Sequence, residues 1–377
     1  MITKSRKECN RLFTALKMHV TLLMIAAVIC TTIFVPTHVY ADDSTGKAIQ
    51  SSTIVRMQNT ANGDATVRMW NLIQRYSDPK YFTGKYHSKV VTYSSTGKLS
   101  GKKYNKIVSI AKTMTTGCKS DYEKMKVLSE YIGTCIYYDY PRYNRKTKTT
   151  YYSAYDVWKN KRSVCQGYAN LYWTMLDALG IPCMMVYGDN HVYNAAYDRS
   201  SKRWVFTDVA WCSGNRYYGK GNWQKGDYKD NYFDMSLEYL LTLTNHEIYG
   251  VEGVLVNNIY YAMTPGYGNG GARKYVNVNE WHWTAVCQKK KKSTLKFASR
   301  IDRYDVKEIG EAAFFGRPDI KTIYIPTTIT KIGKYAFCLK NNRRIVKTKV
   351  ITKLPKSKLK LKKGYRWWAR SVKIKRG

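Results

Sequence analysis

The hydrophobic pattern of residues 104–209 constrains the fold more than any other feature, because it changes from a helical period to alternation. Over 120–136 apolar side chains recur at three- and four-residue steps, which predicts a helix with one buried face. A second helix is predicted over 166–179. Residues 191–209 then alternate in two arms around a polar turn, which predicts an antiparallel hairpin. Helices that precede strands in this way indicate the α+β class.

The composition limits the classes of protein to which the chain can belong. Its 377 residues are enough for two or three domains, and a 44% share of hydrophobic residues supports a packed core. Lys and Arg number 64 against 26 Asp and Glu, so the net charge is +38 and an acidic, halophile-like protein is excluded. This charge favours anionic partners. Because no base-reading motif accompanies it, nucleic acid is not an expected partner.

The first 41 residues have the order of a secretory signal peptide. A basic leader precedes an apolar run at 20–35, Pro36 ends that run, and Val39 and Ala41 suit the −3 and −1 positions of a cleavage site. We therefore predict that the protein is secreted or held at the cell surface. An uncleaved membrane anchor is the alternative, although the apolar run is somewhat short for a spanning helix of about 20 residues.

An internal repeat lies toward the carboxyl terminus. IGEAAF at 309–314 matches IGKYAF at 332–337, an offset of 23 residues, and an alternating segment at 320–325 lies between the two copies. A period of about 20–29 residues with one short strand per unit is typical of leucine-rich repeats. Residues 339–377 carry 16 Lys or Arg and no Asp or Glu, which predicts either a poorly packed basic tail or a docking segment for an anionic polymer.

These patterns divide the chain into six predicted segments. They are a signal peptide (1–41), a polar N-terminal extension (42–100), an α+β domain (101–288), a basic linker (289–298), a leucine-rich repeat fragment (299–338) and a basic tail (339–377).

Cys165 is the best-placed nucleophile among the cysteines. It stands at the start of the helix predicted over 166–179, where unpaired N–H groups and the helix dipole stabilise a thiolate. Seven cysteines remain after residue 41, an odd number, so at least one thiol is free or paired with another chain. The other cysteines lack this placement and are interpreted as buried hydrophobic residues or disulfide halves.

A thiol nucleophile needs a base, and one histidine has a suitable context. His191 opens the first arm of the hairpin and Asp208 lies near the end of the facing arm, so the two can meet across it. His87, His246 and His282 have no comparable context. Because the chain has no CxxC or HxxxH pair, we predict neither a metal nor another cofactor.

Several linked motifs over roughly 104–212 resemble the transglutaminase-like superfamily of papain-like thiol enzymes. In chain order they are IYYD at 136–139, VCQGYA at 164–169, LGIP at 179–182, HVYN at 191–194 and WVFTDVAW at 204–211. The resemblance implies that the domain predicted at 101–288 is a transglutaminase-like thiol enzyme domain with an α+β core, in which the helix that carries the cysteine packs against an antiparallel sheet. It also implies Cys165 as nucleophile, His191 as general base and acid, and Asp208 as the residue that orients His191.

Three positions depart from the pattern of that family without removing a catalytic group. Ser163 stands where Gly is common, Tyr193 where Trp is common and Ala210 where Thr is common. Two candidates exist for the group that donates a hydrogen bond to the oxyanion of the reaction. The backbone N–H of Cys165 is the first candidate and a side chain near Tyr138 is the second.

Two classes of function follow. The first is an enzyme that forms an acyl-enzyme on a protein or peptide substrate, with peptidase-like cleavage of amide bonds favoured and protein cross-linking as the alternative. The second is a non-catalytic adhesion protein whose repeat and basic tail bind an anionic cell-wall polymer or a host surface glycan. The repeat resembles the leucine-rich repeats of BspA-like bacterial surface proteins, which implies export from a Gram-positive bacterium. The sequence does not indicate the oligomeric state.

Overall fold

The computed structural model describes residues 61–83, 101–147, 151–263, 282–310, 313–333, 336–337, 349–353, 360–361 and 373–375. The signal peptide predicted at 1–41 lies outside these described residues and stays a prediction. Within the described part of the chain, no helix combines the length and the apolar character that a membrane span requires.

Helices dominate the first part of the described chain and strands the second. The helices are α1 (Ala61–Tyr76), α2 (Pro79–Phe82), α3 (Gly101–Met114), α4 (Asp121–Cys135), α5 (Tyr140–Tyr143), α6 (Ala154–Asn160), α7 (Cys165–Ala178), α8 (Val209–Cys212) and α9 (Leu237–Leu240), with a 3₁₀ turn at Asp230–Tyr232. The first nine strands are β1 (Tyr137–Asp139), β2 (Arg162–Ser163), β3 (Cys183–Gly188), β4 (His191–Asp198), β5 (Arg203–Thr207), β6 (Arg216–Gly219), β7 (Asn222–Gln224), β8 (Val251–Val256) and β9 (Ile259–Met263). The later strands are β10 (Trp283–Gln288), β11 (Thr294–Lys296), β12 (Arg300–Ile301), β13 (Tyr304–Ile309), β14 (Thr322–Tyr324), β15 (Lys331–Ile332), β16 (Lys349–Ile351), β17 (Lys360–Leu361) and β18 (Lys373–Lys375).

The helices predicted from the hydrophobic period are present, and α7 lies at their centre. Ser120 caps α4, since its hydroxyl accepts a hydrogen bond of 3.1 Å from the backbone N–H of Glu123. The predicted face of α4, which includes Leu128 and Ile132, is buried. α7 contacts α3, α4 and α6 on one side and β4 on the other. This packing of helices on a sheet confirms the α+β class.

The predicted hairpin is also present, within a three-stranded antiparallel sheet. β4 and β5 pair Asn194 with Thr207 and Asp198 with Arg203, and β3 pairs along the other edge of β4. Because successive side chains of a strand point to opposite faces, this register decides which face each residue covers. It also brings the start of β4 and the residue after β5 to the same end of the sheet.

Both faces of this sheet are covered, and the described residues form two hydrophobic cores, one on each side. On β5, Val205 belongs to the core that α7 centres, whereas Trp204 and Phe206 belong to a second core with α1 and β8. α1 lies in the segment predicted as a polar extension, yet its Met69 and Ile73 are fully buried. The extension therefore supplies part of a core.

α1 is also hydrogen-bonded to the edge of this sheet. The side-chain amide of Gln74 donates to the carbonyl of Trp204 at 2.8 Å and its oxygen accepts from the N–H of Trp204 at 2.9 Å. One amide side chain thus satisfies both backbone groups of an edge residue, which fixes the position of β5 against α1.

The repeat forms two parallel ladders. β10, β13, β15 and β17 pair in parallel as an extension of the β8–β9 hairpin, and β11, β14, β16 and β18 form a second sheet. The 23-residue offset appears directly, because Ile309 pairs with Ile332. The rings of Phe314 and Phe337 stack with centroids 5.5 Å apart.

The structure differs from the sequence-based boundaries on either side of the repeat. Thr294–Lys296, inside the predicted linker 289–298, is a strand that pairs with β14, and Leu295 and Phe297 are buried. The run of lysines at 289–292 conceals this strand, whose partner comes from the next repeat unit. Within the predicted tail 339–377, β16, β17 and β18 continue the two ladders.

We expect replacement of Phe314 by Ala to destabilise the fold by about 3–5 kcal/mol, the usual cost of removing a buried aromatic ring. Phe314 is 1% exposed and packs against Phe297 and Phe337. Phe315→Ala is a matched control, because Phe315 is 45% exposed. The measurement is urea unfolding followed by tryptophan fluorescence, and equal midpoints for the two variants would contradict the stacked repeat.

Candidate active site

Cys165 is the first residue of α7 and is a half-buried free thiol. The N-cap residue Val164 makes no side-chain capping hydrogen bond. The partial positive charge at the start of the helix is therefore available to a negative charge that develops on the sulfur.

Gly167 explains why the chain can place a thiol here. A Cβ atom at this position would lie 1.9 Å from Oγ of Ser163 and 2.8 Å from the carbonyl oxygen of Tyr151. Any larger residue would push the first turn of α7 away from β2 and residue 151. The glycine of the VCQGYA motif is thus required by packing beside the nucleophile.

His191 and Asp208 meet at the end of the sheet, as the hairpin predicts. Nε2 of His191 lies 2.6 Å from Oδ2 of Asp208. Asp208 follows β5 and caps α8, so its Oδ1 accepts hydrogen bonds from the N–H groups of Ala210 at 2.9 Å and Trp211 at 3.1 Å. Only 7% of His191 and 1% of Asp208 is exposed.

The ionisation of this pair is dominated by its partners. Burial alone would lower the pKa of His191, but the Asp208 charge, its hydrogen bond and the thiol of Cys165 outweigh burial and raise that pKa to about 10. Burial alone would raise the pKa of Asp208, but the charges and hydrogen bonds of His191 and His246 hold it well below its usual range. Both groups are therefore charged at neutral pH.

Cys165 lies close enough to His191 to help raise the pKa of that histidine. Because Nε2 of His191 is engaged by Asp208, Nδ1 is the nitrogen available to exchange a proton with the thiol. The structure thus brings the three predicted residues into one cluster, with His191 in the middle. This is the arrangement that a thiol nucleophile, its base and an orienting carboxylate require.

His246 is a fourth member of the cluster, and the sequence analysis did not assign it to the site. Its Nε2 lies 2.9 Å from Oδ2 of Asp208 and its Nδ1 lies 2.9 Å from the carbonyl oxygen of Thr244. It belongs to the segment between α9 and β8, which has neither a periodic pattern nor a motif. The one hint is Gly188, where a Cβ atom would lie 2.2 Å from the carbonyl oxygen of Asn245. A glycine at that point lets the segment approach the sheet.

A metal ion is the alternative use of these side chains. One ligand atom each from His191, Asp208 and His246 lies within 4.8 Å of the others, a spacing that an ion could bridge. The same atoms are already joined by hydrogen bonds of 2.6 and 2.9 Å. We therefore interpret the cluster as a hydrogen-bonded network and not as a set of metal ligands.

Aromatic rings enclose the cluster. The ring of Tyr193 stacks over His191 at 6.2 Å, and Trp211 lies 6.0 Å from His191 and 4.7 Å from His246. Burial and the neighbouring Cys165 raise the pKa of Tyr138 far above its usual value, so its hydroxyl keeps its proton and can donate it.

Residues 108–217 match the family described as the Transglutaminase-like superfamily, so the chain carries a transglutaminase-like domain there. No curated protein matches the chain. Among solved structures, a candidate cysteine protease from Cytophaga hutchinsonii is similar at 21% identity over 28% of this chain and 37% of that one, with a TM-score of 0.24. A TGase is similar at 16% identity over 48% and 42% of the two chains, with a TM-score of 0.24.

A leucine-rich repeat protein from Bacteroides ovatus is similar at 21% identity over 27% of this chain and 24% of that one, with a TM-score of 0.19. The chain therefore spans about two fifths or less of the length of each of these three proteins. Likeness at these scores says nothing about activity.

We expect iodoacetamide at pH 7 to label Cys165 before Cys183, Cys212 and Cys287. Burial raises the pKa of Cys212 and Cys287 to about 12 and that of Cys183 well above its usual value, which keeps these thiols protonated. His191→Ala should slow the labelling of Cys165 by roughly tenfold or more, because the thiolate loses its proton acceptor. Peptide mass spectrometry measures each site, and equal labelling of Cys165 with and without His191 would contradict the pairing.

Proposed function

We propose that the transglutaminase-like domain is a thiol enzyme that cleaves or transfers amide bonds, with Cys165 as nucleophile, His191 as acid and base, and Asp208 as the orienting residue. The observation that carries this proposal is a free thiol at a helix start, next to a buried histidine whose pKa it helps to raise and whose Nε2 lies 2.6 Å from a carboxylate oxygen. Perturbed ionisation in a cluster of this kind is characteristic of catalytic groups.

The proposed reaction has two steps, the formation and the breakdown of a thioester between Cys165 and the acyl group of the substrate. The Cys165 thiolate attacks the amide carbonyl carbon, and the carbonyl π electrons move to oxygen. The carbonyl then reforms as the C–N bond breaks, and the imidazolium of His191 gives its proton to the departing amine. In the second step His191 takes a proton from water or from an amine as that molecule attacks the thioester, and the Cys165 thiolate leaves.

Two groups support an oxyanion hole. The backbone N–H of Cys165 lies at the amino end of α7, where helical N–H groups have no intrahelical acceptor. The protonated hydroxyl of Tyr138 lies in the same region, since the Cys165 charge acts on it. Either donor would strengthen as negative charge moves to the substrate oxygen.

The fate of the thioester depends on which nucleophile reaches it. Cys165 is only half-buried, which gives water access, so we favour hydrolysis and keep amine transfer as the alternative. Exposed aromatic residues contact the segment around Tyr138: Tyr143 is 53% exposed and its ring lies 6.0 Å from that of Tyr138, Tyr218 (46% exposed) stacks on Tyr140, and Trp223 (44% exposed) packs against Tyr137. Arg162, three residues before Cys165, stacks over Tyr217 at 4.2 Å. Arg162 is already paired with Asp139 at 3.4 Å, so the exposed feature here is the aromatic surface, which supports a protein or peptide substrate.

The test is incubation of the protein with a peptide library that includes acidic and neutral members, with and without a biotin-labelled primary amine. We expect cleaved peptides without biotin, and no products from Cys165→Ala. Chelation by EDTA should leave the activity unchanged, because the proposed chemistry uses no metal. Biotin on glutamine or on a new carboxyl terminus would instead identify transfer, and equal products from wild type and Cys165→Ala would overturn the thiol mechanism.

Export and surface attachment are part of the proposal. The signal-like order of residues 1–41 supports export, and the Lys- and Arg-rich repeat strands support contact with an anionic cell-wall polymer or a host glycan. A non-catalytic adhesion role for the whole chain is the second candidate.

Export is tested by amino-terminal sequencing of the protein recovered from the medium and from cell walls. Recovery of the protein in the cytoplasmic fraction alone, with Met1 as its first residue, would contradict export.

We expect kcat/KM to fall as the pH rises through about 10, because His191 must be protonated to act as the acid and its pKa is raised to about 10. The stability of the folded protein is expected to fall over the same pH range. A raised pKa in the folded state contributes stability below the ordinary value of 6.5, and that contribution is lost as the pH rises toward 10. A pH–rate profile measures this, and an alkaline limb near 6.5 would show that Asp208 does not support His191.

A further inference from the structure

We propose that His246 is a buried imidazolium that neutralises Asp208 and thereby makes His191 a better proton donor to the departing amine. His246 is a positioning residue in this proposal, because it acts on the substrate only through Asp208 and His191. The inference rests on the proposed function and assigns a role to a side chain that the mechanism above does not use.

The hydrogen bonds of His246 fix its protonation. Nδ1 faces the carbonyl oxygen of Thr244 at 2.9 Å, and a carbonyl can only accept. Nε2 faces Oδ2 of Asp208 at 2.9 Å, and an ionised carboxylate can only accept. A neutral imidazole has one N–H and could satisfy one of these acceptors but not both. Both contacts are therefore hydrogen bonds only when His246 carries two protons and a positive charge.

A protonated Asp208 would be the other way to satisfy Nε2, and its surroundings oppose it. Oδ1 accepts two backbone N–H groups, from Ala210 and Trp211, and Oδ2 faces Nε2 of His191 as well. Four donors favour the carboxylate over the acid. The charge on the carboxylate then requires a positive neighbour, because an isolated buried charge is costly.

The His191 ring lies 5.0 Å from His246 and opposes a second positive charge, but the Asp208 carboxylate lies between the two imidazoles and the other neighbours of His246 suit a cation. His246 is 0% exposed, and its ring lies 4.7 Å from Trp211 and 5.1 Å from Tyr193, whose electron-rich faces attract positive charge. The hydroxyl of Tyr193 donates to the backbone carbonyl of His246 at 2.8 Å, and burial raises the pKa of this tyrosine well above its usual value. The adjacent Glu247 carboxylate accepts from the N–H of Asp189, so it is engaged elsewhere.

The consequence is a cluster whose charges balance at each step. With thiolate, His191 imidazolium, Asp208 carboxylate and His246 imidazolium, the sum is zero. When the thiolate attacks, its negative charge moves to the substrate oxygen and the net charge stays zero. When the amine leaves with the proton of His191, the thioester and His191 are both neutral. The charges of Asp208 and His246 then cancel each other. Without the charge on His246, one uncompensated negative charge would hold the proton on His191 and slow its transfer.

The variant that isolates charge from hydrogen bonding is His246→Gln. A glutamine amide can still donate to Asp208, so orientation is kept while the positive charge is lost. We expect kcat for an amide substrate to fall roughly 10- to 100-fold, a part of the factor that general acid catalysis contributes. The rate with a p-nitrophenyl ester, whose leaving group departs without a proton, should change by less than about threefold on the same principle.

His246→Leu serves as the matched control, because it removes the hydrogen bond and the charge together. It should slow both substrates, since Asp208 loses a partner. An equal loss for amide and ester in His246→Gln, or wild-type rates for both, would overturn the proposal and leave a purely structural role. Failure of the proposed function is distinct, because Cys165→Ala would then retain the activity of the wild type.

A spectroscopic measurement tests the charge without activity. Protein labelled with ¹⁵N at histidine, with His246→Gln used for assignment, reports the protonation of each ring nitrogen. We expect both nitrogens of His246 to carry protons at pH 7. One unprotonated nitrogen at that pH would overturn the imidazolium, whatever the kinetics of the variants.

Discussion

The carboxylate of Asp208 is the group on which the rest of the site depends. It is 1% exposed, and a charge so deeply buried is tolerated only when donors replace the water it has lost. Four donors do so, two backbone N–H groups of α8 and one ring nitrogen each from His191 and His246. They come from a short helix, a strand and an irregular segment, so these three elements must converge at one point for the fold to form.

The sequence predicts the parts of this arrangement that follow from local order. A thiol at a helix start and two residues at one end of a hairpin can be read from spacing alone, and Cys165, His191 and Asp208 do lie together. His246 could not be found in this way. It reaches Asp208 from 38 residues away through a segment without a period, and its position depends on tertiary packing at Gly188. The polar partners of a buried charge are set by the whole fold.

The repeat illustrates a second limit of sequence patterns. Strands of two or three residues, such as Lys331–Ile332, are too short to show alternation and are stabilised by the units stacked on each side. The spacing of Ile309 and Ile332 is visible in the sequence, so the 23-residue register was predictable. Leu295 was not, because the four lysines before it dominate the composition of that stretch and its partner Ile323 lies in the next unit.

The two cores hold the sheet in the position that brings the residues of the candidate site together. β5 packs against the core of α7 through Val205 and against the core of α1 through Trp204 and Phe206, so a one-residue slip would move each of these side chains into the wrong core. Two hydrogen bonds from the Gln74 side chain to the backbone of Trp204, four residues before Asp208, further fix the position of β5. The distance between His191 and Asp208 is therefore held by contacts on both sides of the sheet. It follows that α1, outside the matched range 108–217, is part of the support of the site.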